Sequence, residues 1–169
     1  MFTDLLRLPN QKVPFLLVHV EGRSTRSPGG SHSNETEARY CRDIVQALLA
    51  KGIPPTSLAI ITFYKEQARL LQDYAARQGV TIHTVDSVQG REVDIVILLT
   101  TRSDVDPDSS DFLDDPLRMN VALTRCRHGQ IVLGNVTALR GLRNWAWVLH
   151  WAQEHRVFIR TSTLEDILS

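Results

Sequence analysis

Apolar positions along this chain follow two alternating rhythms. The stretch VPFLLVHV at 13–20 is apolar at almost every position and rich in β formers, which predicts a strand buried on both faces. A polar stretch of Gly, Ser, Pro and Arg at 21–33 has no period and predicts a loop. Asn34 followed by Glu37 fits a capping box, and Ala38, Cys41, Ile44, Val45, Leu48 and Leu49 then recur at helical spacing until Gly52 stops them. The alternation continues with a strand at 58–63, a helix at 65–78 stopped by Gly79, and strands at 80–85 and 93–99. A helix at 116–127, a strand at 130–134, a helix at 142–153 and an extended piece at 157–160 complete it.

Strands that read as continuous apolar runs, separated by helices, imply a mostly parallel sheet with helices on both faces, so the expected class is α/β. Ligands of such sheets bind beyond the carboxyl ends of the strands, which singles out the loops 21–33, 63–66, 86–92, 100–115 and 134–137. The connection at 86–92 is too short for a crossover helix. It therefore predicts that the strand after it pairs antiparallel or lies across a local excursion, exposing Gln89, Glu92 and the Gly90 amide at a sheet edge.

Charge changes the picture by its distribution. Lys plus Arg and Asp plus Glu are 19 each, so the net charge gives no sign of a basic nucleic-acid protein. Nine acids fall between Asp86 and Asp115, whereas 116–153 contains none and holds Arg118, Arg125, Arg127, Arg140 and Arg143. Arg127 and His128 before Gly129 are explained by a helix carboxyl terminus, where cations are favoured by about 0.3–1 kcal/mol each. Arg118 and Arg125 lie two turns apart on one face and are explained less well that way.

Other chemistries find little support. The Asp-rich stretch from Asp104 has Ser109 and Asp115 where a calcium loop needs Gly and Glu, so a solvated loop with Asp115 as N-cap and Pro116 at the first helical position is expected. The six histidines form no zinc motif, and no metal site is expected. Cys41 and Cys126 stand far apart, which fits reduced thiols of a cytoplasmic or nuclear protein. No apolar run approaches a membrane span, and no membrane partner is expected. Trp145 falls at core spacing, while Trp147 and Trp151 share another face, read as packing with base stacking as the alternative.

Four blocks, SHSNETEA, LAIITFYKEQARLL, TVDSVQGREVDIVIL and FLDDPLRMNVALTRCRHGQIVLGN, occur in an order that resembles the second RecA-like domain of superfamily 1 helicases of the nonsense-mediated-decay and senataxin-like branch. The resemblance covers residues 14–153 and implies a RecA-like three-layer sandwich at 13–160. Residues 1–12 would be a linker or tail from a preceding domain, and 161–169 a C-terminal tail. It further implies that Arg125 matches the motif VI arginine finger, a group worth ~10³ to 10⁵ in rate. Gln89, Gly90 and Glu92 match motif V positions facing the nucleotide, Tyr64 and Gln67 match motif IV beside the base, and Thr84, Asp86 and Ser87 match contacts to the nucleic-acid backbone.

Departures accompany the match: Phe63 stands where many relatives have Pro, and Ala68, followed by Arg69, stands where some have a basic residue. No GxxxxGK[ST] occurs in the sequence. The implied cofactor, ATP with Mg²⁺, would be held mainly by a first RecA-like domain of the same parent chain, and the implied partner is single-stranded RNA or DNA. The alternative is a non-catalytic module, derived from such a helicase, that binds nucleic acid or a partner. On its own the chain is expected not to hydrolyse ATP.

Overall fold

The computed structural model describes residues 5–88, 91–105 and 112–169. Its elements in order are β1 (Phe15–His19), β2 (Thr25–Arg26), β3 (His32–Ser33), α1 (Glu35–Ala50), a 3₁₀ turn (Pro55–Ser57), β4 (Leu58–Thr62), α2 (Lys65–Gln78) and β5 (Thr81–Thr84). There follow β6 (Val93–Leu99), α3 (Pro116–Leu123), β7 (Cys126–Gly134), α4 (Val136–Arg140), α5 (Arg143–Glu154), β8 (Phe158–Arg160) and α6 (Thr161–Leu168). Six strands form one sheet in the order β5-β4-β6-β7-β1-β8, and every pairing in it is parallel.

The period of two along each strand sorts the core into two layers. Leu16, Val18, Leu58, Ile60, Ile95, Ile97, Ile131 and Leu133 face α1, α2 and α6, with Leu71, Leu164 and Ile167 packed against them. Leu17, Ile61, Val96, Leu98 and Val132 face the other way, against Met119 of α3, Leu139 of α4 and Trp145 of α5. The result is the α/β three-layer, RecA-like arrangement that the alternation of elements leads one to expect.

Three expectations change. The strand after the short connection pairs neither antiparallel nor with β5: β5 and β6 lie on opposite sides of β4, both parallel to it. Val85 and Val88 explain this, because both are buried in the second core layer and draw the connection across the sheet face. The helix expected to reach 127 ends at Leu123, where the Thr124 hydroxyl bonds the Asn120 carbonyl at 2.6 Å. Arg127, His128 and Gly129 are strand residues of β7, captured by a ladder in which the Val93 amide donates to the Arg125 carbonyl at 2.9 Å. A register shift between Val93 and Ile95 places Arg127 and His128 together in a bulge. Finally, 161–168, expected as a tail, is helical, with Leu164 and Ile167 buried beside Leu6 and Leu8.

One buried polar cluster ties the carboxyl end of the sheet to α1 and α2 of the first layer. Asn34 caps α1 by accepting from the Glu37 amide at 3.0 Å, while its side-chain amide donates to the Gly22 and Thr101 carbonyls at 3.2 and 3.0 Å. The capping box is not reciprocal. The Asn34 amide donates instead to Oε1 of Gln67 at 2.8 Å, and the Gln67 amide donates to the Asn34 carbonyl at 3.0 Å and to Glu37 at 3.2 Å. Glu37, 1 % exposed, also accepts from the Thr101 amide at 2.8 Å and from its hydroxyl at 2.9 Å. Thr101 has φ 71°, a left-handed conformation costly for a β-branched residue, and all three of its polar groups are engaged to hold it there.

Burial pushes the Glu37 carboxyl up to about 8, against the hydrogen bonds from Thr101 and Gln67. The Thr101 hydroxyl can accept as well as donate, so the protonated carboxyl also finds a partner.

Two outcomes are expected in urea denaturation. Trp145→Ala removes a ring with no solvent exposure and a 2.8 Å bond from its indole to the Leu113 carbonyl, and costs about 3–5 kcal/mol, whereas Trp147→Ala, at 68 % exposure, stays within about 0.5 kcal/mol of wild type. Because the folded-state pKa of Glu37 is raised, its contribution is fully present below the unfolded carboxyl range and is lost as pH rises towards about 8. Stability of the wild type should therefore fall over that window relative to Glu37→Gln. Parallel pH profiles for the two proteins would refute the protonated reading.

Candidate functional site

The parallel sheet presents two ends, and the candidate residues divide between them. At the carboxyl end, Thr62 stands opposite both Thr84 and Leu99, so Tyr64 and the turn at 84–87 are neighbours. The turn is closed locally: the Ser87 hydroxyl accepts from the Thr84 amide at 3.0 Å, and the Val88 amide donates to the Thr84 carbonyl at 3.1 Å. Asp86 and Ser87 are exposed. Asp86 pairs with Arg118 at 3.1 Å; Arg118 also pairs with Asp115 at 3.0 Å and covers the Phe112 ring at 4.1 Å. The N-cap at Asp115 is as expected, its carboxylate accepting from the Leu117 amide at 3.2 Å.

Gln67 and Tyr64 sit at this same end, but not as open surface. Gln67 has no exposure and its amide is bonded at both ends within the Glu37 cluster, so it holds α2 against the cap of α1. Tyr64 is 7 % exposed, packed between His32 and Phe112 at centroid distances of 5.0 and 5.6 Å. Burial raises its phenol above the usual range, opposed by the neighbouring Arg102. Arg69 lies on the outside of α2 paired with Glu66 at 3.4 Å.

At the amino end, Arg125 and Glu92 are brought together by the first rung of the β6–β7 ladder. Arg125 is half-buried and donates to three neutral oxygens: the Val121 carbonyl at 3.2 Å, the Arg91 carbonyl at 3.4 Å and the Thr124 hydroxyl at 3.2 Å. Among the described residues no carboxylate pairs with it. Arg127, by contrast, reaches Glu92 at 3.6 Å and Asp94 at 3.8 Å, and His128 reaches Asp94 at 3.7 Å. Those contacts replace the helix-terminus explanation of Arg127 and His128. Gln89 and Gly90 lie outside the described residues. The seven residues of β6 separate the two ends, a span of about 20 Å at strand rise.

The sequence marks Asn34 and Glu37 only as a cap and carries no sign of Thr101, Arg102 or the burial of Glu37. Only the Asn34–Glu37 spacing was a signal, and it points to a solvated cap. The donors that turn it into a buried cluster lie 30 and 64 residues away.

Comparisons with known proteins agree with this architecture. A family profile described as an AAA domain matches residues 3–137. The chain is 35 % identical over 161 residues to a regulator of nonsense transcripts 1 homolog of Arabidopsis thaliana, covering 90 % of this chain and 13 % of that protein. It is 34 % identical over 164 residues to the Drosophila melanogaster homolog, with 91 % and 14 % covered. It is 33 % identical over 135 residues to a DNA replication ATP-dependent helicase/nuclease of Mus musculus, with 78 % and 13 % covered. The chain thus spans a small part of the length of these relatives. No helix among the described residues is long and apolar enough to cross a membrane. With the profile spanning most of the chain, the protein belongs to the AAA-domain family and is a helicase-family domain of the nonsense-mediated-decay and senataxin-like branch.

Proposed function

We propose that the chain is the C-terminal motor domain of an ATP-dependent RNA or DNA helicase, completing an ATP site whose P-loop belongs to another domain. The observation that carries this reading is Arg125, which bonds only neutral oxygens while Arg118 and Arg127 are each neutralised by two carboxylates. A guanidinium held in position without a carboxylate retains its charge for an anion. On domain closure it would approach the γ-phosphate and stabilise the charge that develops as that phosphoryl group transfers to water.

Glu92, and with it Gln89 and Gly90, would face the nucleotide from the same end of the sheet. Among the described residues no group of three or more metal-ligating side chains occurs, so Mg²⁺ would take its protein ligands from the P-loop domain. Thr84 and Ser87 would meet the phosphates of a single strand at the carboxyl end. Asp86, a carboxylate, is better suited to holding Arg118 in place than to touching phosphate. Hydrolysis at one end and strand grip at the other would be coupled through the rigid parallel sheet between them.

Purified alone, the chain should hydrolyse ATP no faster than a buffer blank. Within a longer polypeptide that includes the P-loop domain, Arg125→Ala should lower kcat by ~10³ or more, with a much smaller change in ATP affinity. Turnover by the isolated chain that Arg125→Ala abolishes would refute the shared-site reading, as would an unchanged kcat in the longer polypeptide.

A further inference from the structure

The carboxyl end of the sheet contains a cavity of about 570 Å³ that none of the resemblance motifs explains as a whole. The β2–β3 hairpin forms one wall, Phe63 to Lys65 the floor, and Arg102 and Asp104 of the loop after β6 the opposite wall, with Phe112 closing one side. The walls are built. Ser24 and Ser103 exchange amide-to-hydroxyl bonds at 2.8 and 2.9 Å, locking the chain before the hairpin to the loop after β6. The Glu66 amide donates to the Ser31 hydroxyl at 3.2 Å, fixing the hairpin to the start of α2.

Its lining combines aromatic surface with cations. Tyr64 lies against His32 and Phe112, and burial together with the nearby Arg102 and Arg26 lowers the pKa of His32 and favours a neutral imidazole. Among the described lining residues Arg26, Lys65 and Arg102 outnumber Asp104, which favours an anion. Two polar groups face each other here: the Tyr64 hydroxyl and Arg102 Nε are both buried, Arg102 lies against the phenol, and neither makes a well-formed hydrogen bond to any other described residue. Leaving such groups unsatisfied is unfavourable, so a ligand presenting acceptors to both is favoured. Aromatic faces, two inward donors and cations at the rim match one nucleotide: a base with carbonyl or ring-nitrogen acceptors, followed by its phosphate.

A free nucleotide and a nucleotide within a strand share this chemistry, and position separates them. The cavity lies at the same end of the sheet as Thr84 and Ser87, since Thr84 pairs with Thr62 just before the lining residues Phe63 and Tyr64, and at the end remote from Arg125. We infer that it receives one splayed nucleobase of the bound single strand, with the Tyr64 hydroxyl and Arg102 Nε donating to the base, and Arg26 and Lys65 facing its flanking phosphate. This rests on the reading that the chain grips a single strand at its carboxyl end. It moves Tyr64 from the ATP base to a base of the strand.

The test uses fluorescence anisotropy on the purified chain with a short labelled oligouridylate, an abasic strand of equal length and charge, and unlabelled UMP as competitor. Oligouridylate should bind about tenfold more tightly than the abasic strand. Tyr64→Phe, which keeps the ring and therefore the packing, should reduce that advantage to about twofold, whereas Ser87→Ala should weaken both strands alike. A melting curve within a few degrees of wild type confirms that Tyr64→Phe folds. Equal affinity for the two strands, or an advantage that Tyr64→Phe leaves intact, overturns the inference while strand binding through Ser87 stands. Displacement of the strand by UMP at equal nucleotide concentration overturns it in favour of a free-nucleotide site. Binding of neither strand overturns both readings together.

Discussion

A carboxyl group with almost no access to water, that of Glu37, is what sets the carboxyl end of this sheet. Three donors from two distant segments converge on it, and the same segments satisfy the cap of α1 through Asn34. Because a buried carboxyl without partners is prohibitively unfavourable, the cluster forms as a unit or not at all. Its consequences are geometric. Thr101 is held in a strained conformation, which starts the loop carrying Arg102 and Ser103 in a fixed direction. Gln67 is held too, which fixes the start of α2 and, three residues earlier, Tyr64.

That constraint divides the labour of the domain. The carboxyl end is mixed aromatic and cationic and closed by reciprocal serine bonds; the amino end of β6 and β7 is a charged margin where Arg127 and His128 meet Glu92 and Asp94 while Arg125 bonds neutral oxygens. Parallel strands make the division inevitable, since loops before and after a strand emerge about 20 Å apart along β6. Under the proposed function, one end would meet a nucleotide and the other a polymer. The distance is bridged by β-sheet, with the pairing of β4, β6 and β7 in register except for the bulge at Arg127 and His128.

Much of the fold was legible in the sequence because burial on both faces leaves unbroken apolar runs, as in 58–63 and 93–99. The order of strands was not, since a parallel ladder leaves no local mark of which neighbour it joins; the connection at 86–92 looked like a hairpin for that reason. Arg127, His128 and Gly129 could not be read as strand, because their extended conformation comes from pairing with β6 and not from their own preference. The helix at Thr161–Leu168 had a signal, Leu164, Ile167 and Leu168 at helical spacing, that its short length concealed. The first rung of the β6–β7 ladder places Arg125 near Glu92, but a motif cannot say which end of the sheet a residue occupies. Tyr64 and Gln67 were grouped with Arg125 on that account, and only the register of β4 against β5 and β6 separates them.

The separation of the two ends can be observed directly by amide NMR of the 169-residue chain titrated with a short single-stranded oligonucleotide. Shifts confined to the carboxyl end, at Thr84, Ser87, Lys65 and Arg102, with Arg125, Cys126 and Arg127 unmoved, are the predicted result. Shifts centred on Arg125 and the start of β7 would contradict it.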